Sequence, residues 1–478
     1  MYGHASNGIY KTTDGGTNWT KLNSGLPSGT YGRVSIGIGT DDPTRLYALI
    51  VNPASSTGGG ASTKGAYRSS NGGASWSSIG SFGNIQVSYG WYLSVVGVKP
   101  TNADVVTMAG LSLKYSSNGG SSWSTRTPPH VDLHALGWDA AGRLLSGDDG
   151  GLHRSSDDGG NWQSFAQGPG LIQLYAGLSS HPTDPDVFVG GFQDNGTGRR
   201  SASGWTRVFG GDGGWTQIHP TNPNIVFCEY QGTGNLFRST NGGFSFSGSS
   251  SGISSGDRNC FLPPYLIERQ NPARMLYATQ RIYRSTNSGS SWAAISGDVT
   301  TGSGAVRCLA QAPSDPSIVY LATNDGLVRR SGNGGANWTT ILSAHPGWPR
   351  VTRELSVHPS EPLTVYLATA VFGAEQVRRS TDGGSNWTSL DGNLPDVPVN
   401  VVEVLPNGTG QPEILFAGAD NGLWVSMNGG VLWQRYGQGL PHTPVIDIHL
   451  QPRRGRIVVA TQGRGVWSAE LLLDASAQ

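Results

Sequence analysis

The segment His130-Val131-Asp132-Leu133-His134 puts two imidazoles and a carboxylate at alternate positions. On an extended segment alternate side chains share a face. There His130, Asp132 and His134 could converge on a divalent cation, since imidazole and carboxylate are common ligands of such ions. The same residues could equally line a polar wall, hydrogen-bonded to neighbouring loops. Three turns rich in acid and glycine follow: Asp148-Asp149 in "SGDDGG", Asp194-Asn195 in "FQDNGT", and Asp212 in "GGDGGW". Asp132, Asp149, Asp194 and Asp212 could provide the proton donor and base of glycoside hydrolysis. Such turns could also bind Ca²⁺ with help from backbone carbonyls, or cap themselves, as Asp before Gly commonly does. Trp91, Tyr92 and Trp215 offer flat faces on which a sugar ring could stack. With His130, His134 and Asn195 they form the candidate ligand-binding set.

The elements that must position these residues come from a repeat. The pattern Ser/Thr-x-Asp/Asn-x-Gly-x-x-Trp occurs at Thr12–Trp19, Ser69–Trp76, Ser116–Trp123, Ser155–Trp162 and Ser285–Trp292. It recurs at Ser331–Trp338, Ser380–Trp387 and Ser426–Trp433, and at Ser239–Phe246 with Phe in the last position. A degenerate copy surrounds "RRSASGWTRV". Between the boxes lie apolar pairs split by Pro/Asp/Asn turns, such as "CLAQAPSDPSIVYLAT" and "ELSVHPSEPLTVYLAT". Each unit therefore predicts four short strands, two inner and two outer, with the box at the outer turn. About ten units of roughly 40–50 residues fall in the range of propellers and solenoids. Four-stranded sheets repeated radially make a β-propeller, so the expected fold is all-β across residues 1–478. Asp14, Asp157 and Asp382 alternate with Asn71, Asn118, Asn241, Asn287, Asn333 and Asn428 at the acidic box position. A nucleophile or general acid cannot be exchanged for an amide, whereas a turn-capping acceptor can. The box is predicted to be scaffold, and any chemistry must come from loops that break its rhythm.

Bulk composition narrows the classes further. The chain has 478 residues, 72 of them Gly, with 15 Trp and 16 Tyr, an aromatic content that opposes disorder. Lys+Arg and Asp+Glu are 32 each, without the basic stripe that nucleic acid requires. No apolar run is long enough to cross a bilayer, and the opening residues carry no visible signal peptide. Cys228, Cys260 and Cys308 read as small apolar residues rather than a disulfide framework. The Gly/Ser-rich stretch Val51–Ser70 reads as a mobile rim loop or a decoration.

The boxes resemble the Asp-box (bacterial neuraminidase) repeat of sialidases, sortilin-type ten-bladed propellers and two-propeller xyloglucanases. The order "YGWYLSVVGVKPTNADVV", "HVDLHALGWDAAGRLLSGDDGGLHRSS", "GGFQDNGT" is similar to secreted bacterial sortilin-like proteins often labelled glycosyl hydrolase. The arginine triad and Arg-Ile-Pro motif of sialidases are missing, which opposes that activity. The resemblance implies a propeller that is secreted or at the cell surface. Its favoured form is one ten-bladed ring, with two smaller propellers as the alternative. The N-terminus reads as starting within a blade, either closing the ring with the last strand pair or following upstream blades. The favoured function is an extracellular interaction propeller for a polysaccharide, peptide or surface partner. The alternatives are a glycoside hydrolase using paired carboxylates at the channel mouth and a structural surface or filament component. Oligomeric state is not legible from the sequence.

Overall fold

The computed structural model describes residues 4–55, 59–80, 83–165, 172–175, 177–343, 355–408 and 410–471. Among them the protein is all-β: nine four-stranded antiparallel sheets, one two-stranded sheet and one three-stranded sheet. In every sheet the strands pair in chain order. The one helical piece among the described residues is the 3-10 turn Pro452–Arg454, and no helix is long and apolar enough to cross a membrane.

The strands form where short apolar runs are bounded by turn residues, and in the three- and four-stranded sheets the second strand carries most of the core. Leu46–Val51, for example, buries residues on both faces. Tyr47 and Leu49 pack against Val106 and Met108 of the following sheet, while Ala48 packs with Ile9 and Trp76 on the other side. A strand covered on both faces needs no polar alternation, which explains the unbroken apolar runs in the sequence.

The chain divides into two compact units, Met1–Pro169 and Gly170–Gln478. The first holds the hairpin Ile9–Lys11/Thr20–Leu22 and the sheets that begin at Val34, Val95 and Leu133. The second holds sheets beginning at Ser179, Gly213, Tyr265, Val306, Leu355, Val399 and Val445. In the second unit, apolar clusters join each sheet to the next: Val189 to Ile218, Phe227 to Tyr265, Ile282 to Val306, and Tyr320 to Leu355. The series continues with Tyr366 to Val402 and Phe416 to Val445. The last sheet then returns to the first, where Ile446, Val458 and Ala460 pack with Leu174, Leu178, Phe188 and Phe192.

The boxes are tight turns closed by their own side chains. In Ser285–Trp292 the Asn287 Oδ1 accepts the backbone N–H of Ser291 at 2.9 Å. Ser285 Oγ accepts the N–H of Gly289 at 2.9 Å. The same bond to the residue four places on is made by Asp14, Asn71, Asn118, Asp157, Asn241, Asn333, Asp382 and Asn428. Asp and Asn thus perform one task, accepting hydrogen bonds within the turn. Those bonds hold the Asp14, Asp157 and Asp382 carboxyls down at about 2. The box Trp ties sheets together: Trp292 Nε1 donates to Ser249 O and Trp433 Nε1 to Leu390 O. Trp19, by contrast, donates to Gly16 of its own turn and remains exposed.

The stretch Val51–Ser70 departs from the loop expected of its composition. Thr63–Ser69 is the third strand of its sheet, Ala61 is fully buried, and residues 56–58 lie outside the described residues. Pairing opposite Leu46–Val51 overrides the Gly/Ser bias. Cys228 and Cys308 are buried and Cys260 is partly buried, all as free thiols. Burial pushes the Cys260 thiol up to about 12, which makes it inert rather than reactive.

Candidate functional site

The residues of "HVDLH" enter the inner strand Leu133–Trp138. They do not form the expected extended run with three ligands on one face. Asp132 has φ +61°, a left-handed turn rare for a residue with a Cβ, and the pairing register slips between Leu133 and Ala135, which leaves His134 in a bulge. Both features break the alternation on which a His130–Asp132–His134 cation site depends. Among the described residues no group of three or more His, Cys, Asp or Glu could hold a metal ion.

What the first unit assembles instead is a set of imidazole–carboxylate pairs at the end of one sheet. The bulge aims His134 at the turn after Leu144–Asp148, where its Nε2 lies 2.7 Å from Asp149 Oδ1. The Tyr92 ring meets the imidazole edge-on at 4.8 Å between centroids. Trp91 lies 5.4 Å from Tyr92, and Arg33 Nη1 donates to the Tyr92 carbonyl and fixes that segment. His130 packs on the same turn, since a methyl placed on Gly150 would fall 2.6 Å from its Cβ. Beneath the surface a second pair is buried. His153 Nε2 lies 3.0 Å from Asp148 Oδ1, and His153 Nδ1 lies 3.0 Å from Ser164 Oγ. Ser146 Oγ and the Gly150 N–H also donate to Asp148. Burial raises the Asp148 carboxyl above the usual carboxylate range, with the nearby His153 opposing it.

In the second unit the structure brings Asp194 and Asp212 together, as a capping pair. The Asp194 N–H donates to Asp212 Oδ1 at 2.7 Å, and the Asp212 N–H donates to Gln231 Oε1. Asp194 has φ +60° at the tip of its turn. Asn195 Nδ2 donates to the Gln193 carbonyl. Trp215 sits in a bulge of its own between Gly213 and Thr216, and its N–H donates to Glu229 Oε1. Glu229 is buried, and burial pushes its carboxyl well above the usual range.

Sequence inspection passed over His153, Glu229 and a further carboxylate pair. Asp447 Oδ2 accepts the N–H groups of Gly177 and Leu178 at 2.8 and 2.7 Å, bridging the last sheet of the second unit to its first. On the adjoining inner strand Glu403 is raised to about 7 by burial, with Asp447 adding to the rise and Arg269 opposing it. His153 did leave a signal, since Tyr67, Phe237 and Tyr283 occupy the same place two residues before their box serines. Glu403 and Asp447 left none, because an isolated acid in an apolar strand looks the same whether its partner is near or far.

No family model and no curated protein matches the chain. Solved structures similar to it include the GH74 xyloglucanase from Xanthomonas campestris: 14% identity, 96% of this chain and 94% of that chain covered, TM-score 0.33. The extracellular domain of a putative hybrid two component system from B. thetaiotaomicron is 12% identical over 98% and 68% of the two chains, with a TM-score of 0.46. YCF48 bound to D1 peptide is 14% identical over 80% and 94%, with a TM-score of 0.38.

Proposed function

We propose that this chain is an interaction propeller, working outside the cell, whose polysaccharide, peptide or cell-surface partner meets the sheet ends opposite the boxes. The observation that carries this reading is the division of labour among polar side chains. Box acids and amides spend their hydrogen bonds on their own turns, while the residues that break the repeat cluster where inner strands begin. These are His130, His134 and Asp149 in the first unit and Asp194, Asn195, Asp212 and Trp215 in the second. The contact between the last and first sheets of Gly170–Gln478 supports seven sheets closing on themselves there, which speaks against one ten-bladed ring. Binding of the purified chain to arrays of glycans, peptides and intact cell surfaces tests the reading. Absence of binding to all three would sink it.

A second reading, a glycoside hydrolase, has one observation in its favour. A carboxyl held at about 7, as Glu403 is, suits a proton donor at neutral pH. Asp132, Asp149, Asp194 and Asp212 remain the other candidate catalytic residues, although the Asp212 carboxylate is engaged by the Asp194 N–H. Turnover on a polysaccharide panel that is lost in Glu403→Gln or Asp149→Asn would favour the hydrolase.

A further inference from the structure

The bulge that holds His134 is a recurring device. Inner-strand pairing slips at the same place between Val306 and Cys308, between Val399 and Val401, and between Val445 and Asp447. The extra residue is His134 in the first unit and Arg307, Asn400 and Ile446 in the second. Counted from the residue that pairs with the box serine (Leu144 with Ser155, Leu415 with Ser426), Asp149 and Asp420 stand five places on. Asn400 Nδ2 donates to Asp420 Oδ1 at 2.9 Å, the counterpart of the bond between His134 and Asp149. The bulge itself forms even around Ile446, and where the bulge residue bonds the turn a short amide is enough. An amide does this in one sheet and an imidazole in another.

The two sites differ in what surrounds them. Asn400 is buried at 7% exposure. His134 keeps about a third of its side-chain surface open and carries beside it a Tyr92 that is 49% exposed. Tyr89, three residues earlier, is also 49% exposed. Nothing about holding the turn calls for an imidazole there, or for a solvent-facing phenol ring against it. A flat apolar face beside an imidazole and a carboxylate matches a pyranose, whose C–H face stacks on an aromatic ring while its equatorial hydroxyls exchange hydrogen bonds with polar groups.

We infer that Tyr92, His134 and Asp149 form a binding subsite for one neutral sugar ring of a polysaccharide. This rests on the interaction reading above and narrows it to a ligand class and a place. Tyr92 supplies the stacking face, and His134 with Asp149 supplies the hydroxyl contacts. The bulge at His134 and the left-handed Asp132 set the aim of the imidazole.

Affinity electrophoresis of the full chain in gels containing hydroxyethyl cellulose, xylan or galactomannan tests this. Wild type should be retarded by at least one of the three, Tyr92→Ala should bind at least tenfold more weakly, and Tyr92→Phe should bind nearly as well as wild type. The decisive variant is His134→Gln, whose amide nitrogen reaches about as far as the imidazole Nε2 and so can keep the turn bond. It should unfold at the wild-type temperature yet bind several-fold more weakly. If Tyr92→Ala and His134→Gln bind as wild type does, the subsite is wrong and the interaction reading stands. If wild type binds none of the three polymers, the subsite is overturned, and the peptide and cell-surface arrays decide separately whether the broader reading survives.

Discussion

Replacing Glu403 with Gln should make the second unit more stable at neutral pH, against the usual expectation for removing a charge. The Glu403 carboxyl is raised from 4.5 to about 7, with burial as the main cause and Asp447 on the neighbouring inner strand as a further one. A carboxyl whose pKa is higher in the folded state contributes stability that is fully present below about 4.5 and is lost as pH rises through about 7. At about 1.4 kcal/mol per pH unit the interval is worth at most about 3.5 kcal/mol. Gln keeps the shape of protonated Glu and can still bond Ser356, but it cannot ionise, so Glu403→Gln should recover most of that loss. At about 1.5 °C per kcal/mol for a unit of about 300 residues, the variant should melt roughly 4–5 °C above wild type at pH 8 and within about 1 °C of it at pH 4.5. Differential scanning calorimetry of both chains across that range reads the difference directly. Titrating groups remote from Glu403 and Asp447 are common to both chains and cancel in the comparison, whereas the two coupled carboxyls titrate as a pair. Parallel melting curves from pH 4.5 to 8 would show that Glu403 ionises freely in the folded chain and that its coupling to Asp447 is idle.

Four other outcomes follow from the same structure. Asn287→Asp should leave stability within about 0.5 kcal/mol, whereas Asn287→Ala should cost about 1 kcal/mol by orphaning the Ser291 N–H, as denaturant unfolding would measure. His153→Ala should cost about 2–3 kcal/mol, because Asp148 would stay buried without its imidazole partner; a change under about 0.5 kcal/mol would show the pair to be idle. Asp447→Ala should speed amide exchange at Gly177 and Leu178 at least tenfold, as hydrogen–deuterium exchange can resolve. Binding of neutral polysaccharide should follow Tyr92 and His134 as set out above.

The sequence by itself determined the sheet and its turns. Nine boxes specify nine hairpins because each contains both partners of its own hydrogen bonds, four residues apart, and local bonds need no knowledge of the rest of the chain. The apolar runs and Pro/Asp turns between them fixed the all-β class for the same reason. Tertiary structure decided what faces what. The extended "HVDLH" was broken by a positive φ at Asp132 and by a register slip at His134, the slip set by pairing with Leu144–Asp148 rather than by the segment itself. Asp148 found His153, Asp194 found Asp212, and Asp447 found the Gly177 and Leu178 amides some 270 residues away. Such pairings cross between strands or sheets, and a periodic chain states which strands it has without stating how many sheets pack before the last one meets the first. That count depends on the angle at which successive sheets pack, a property of the buried side chains acting together.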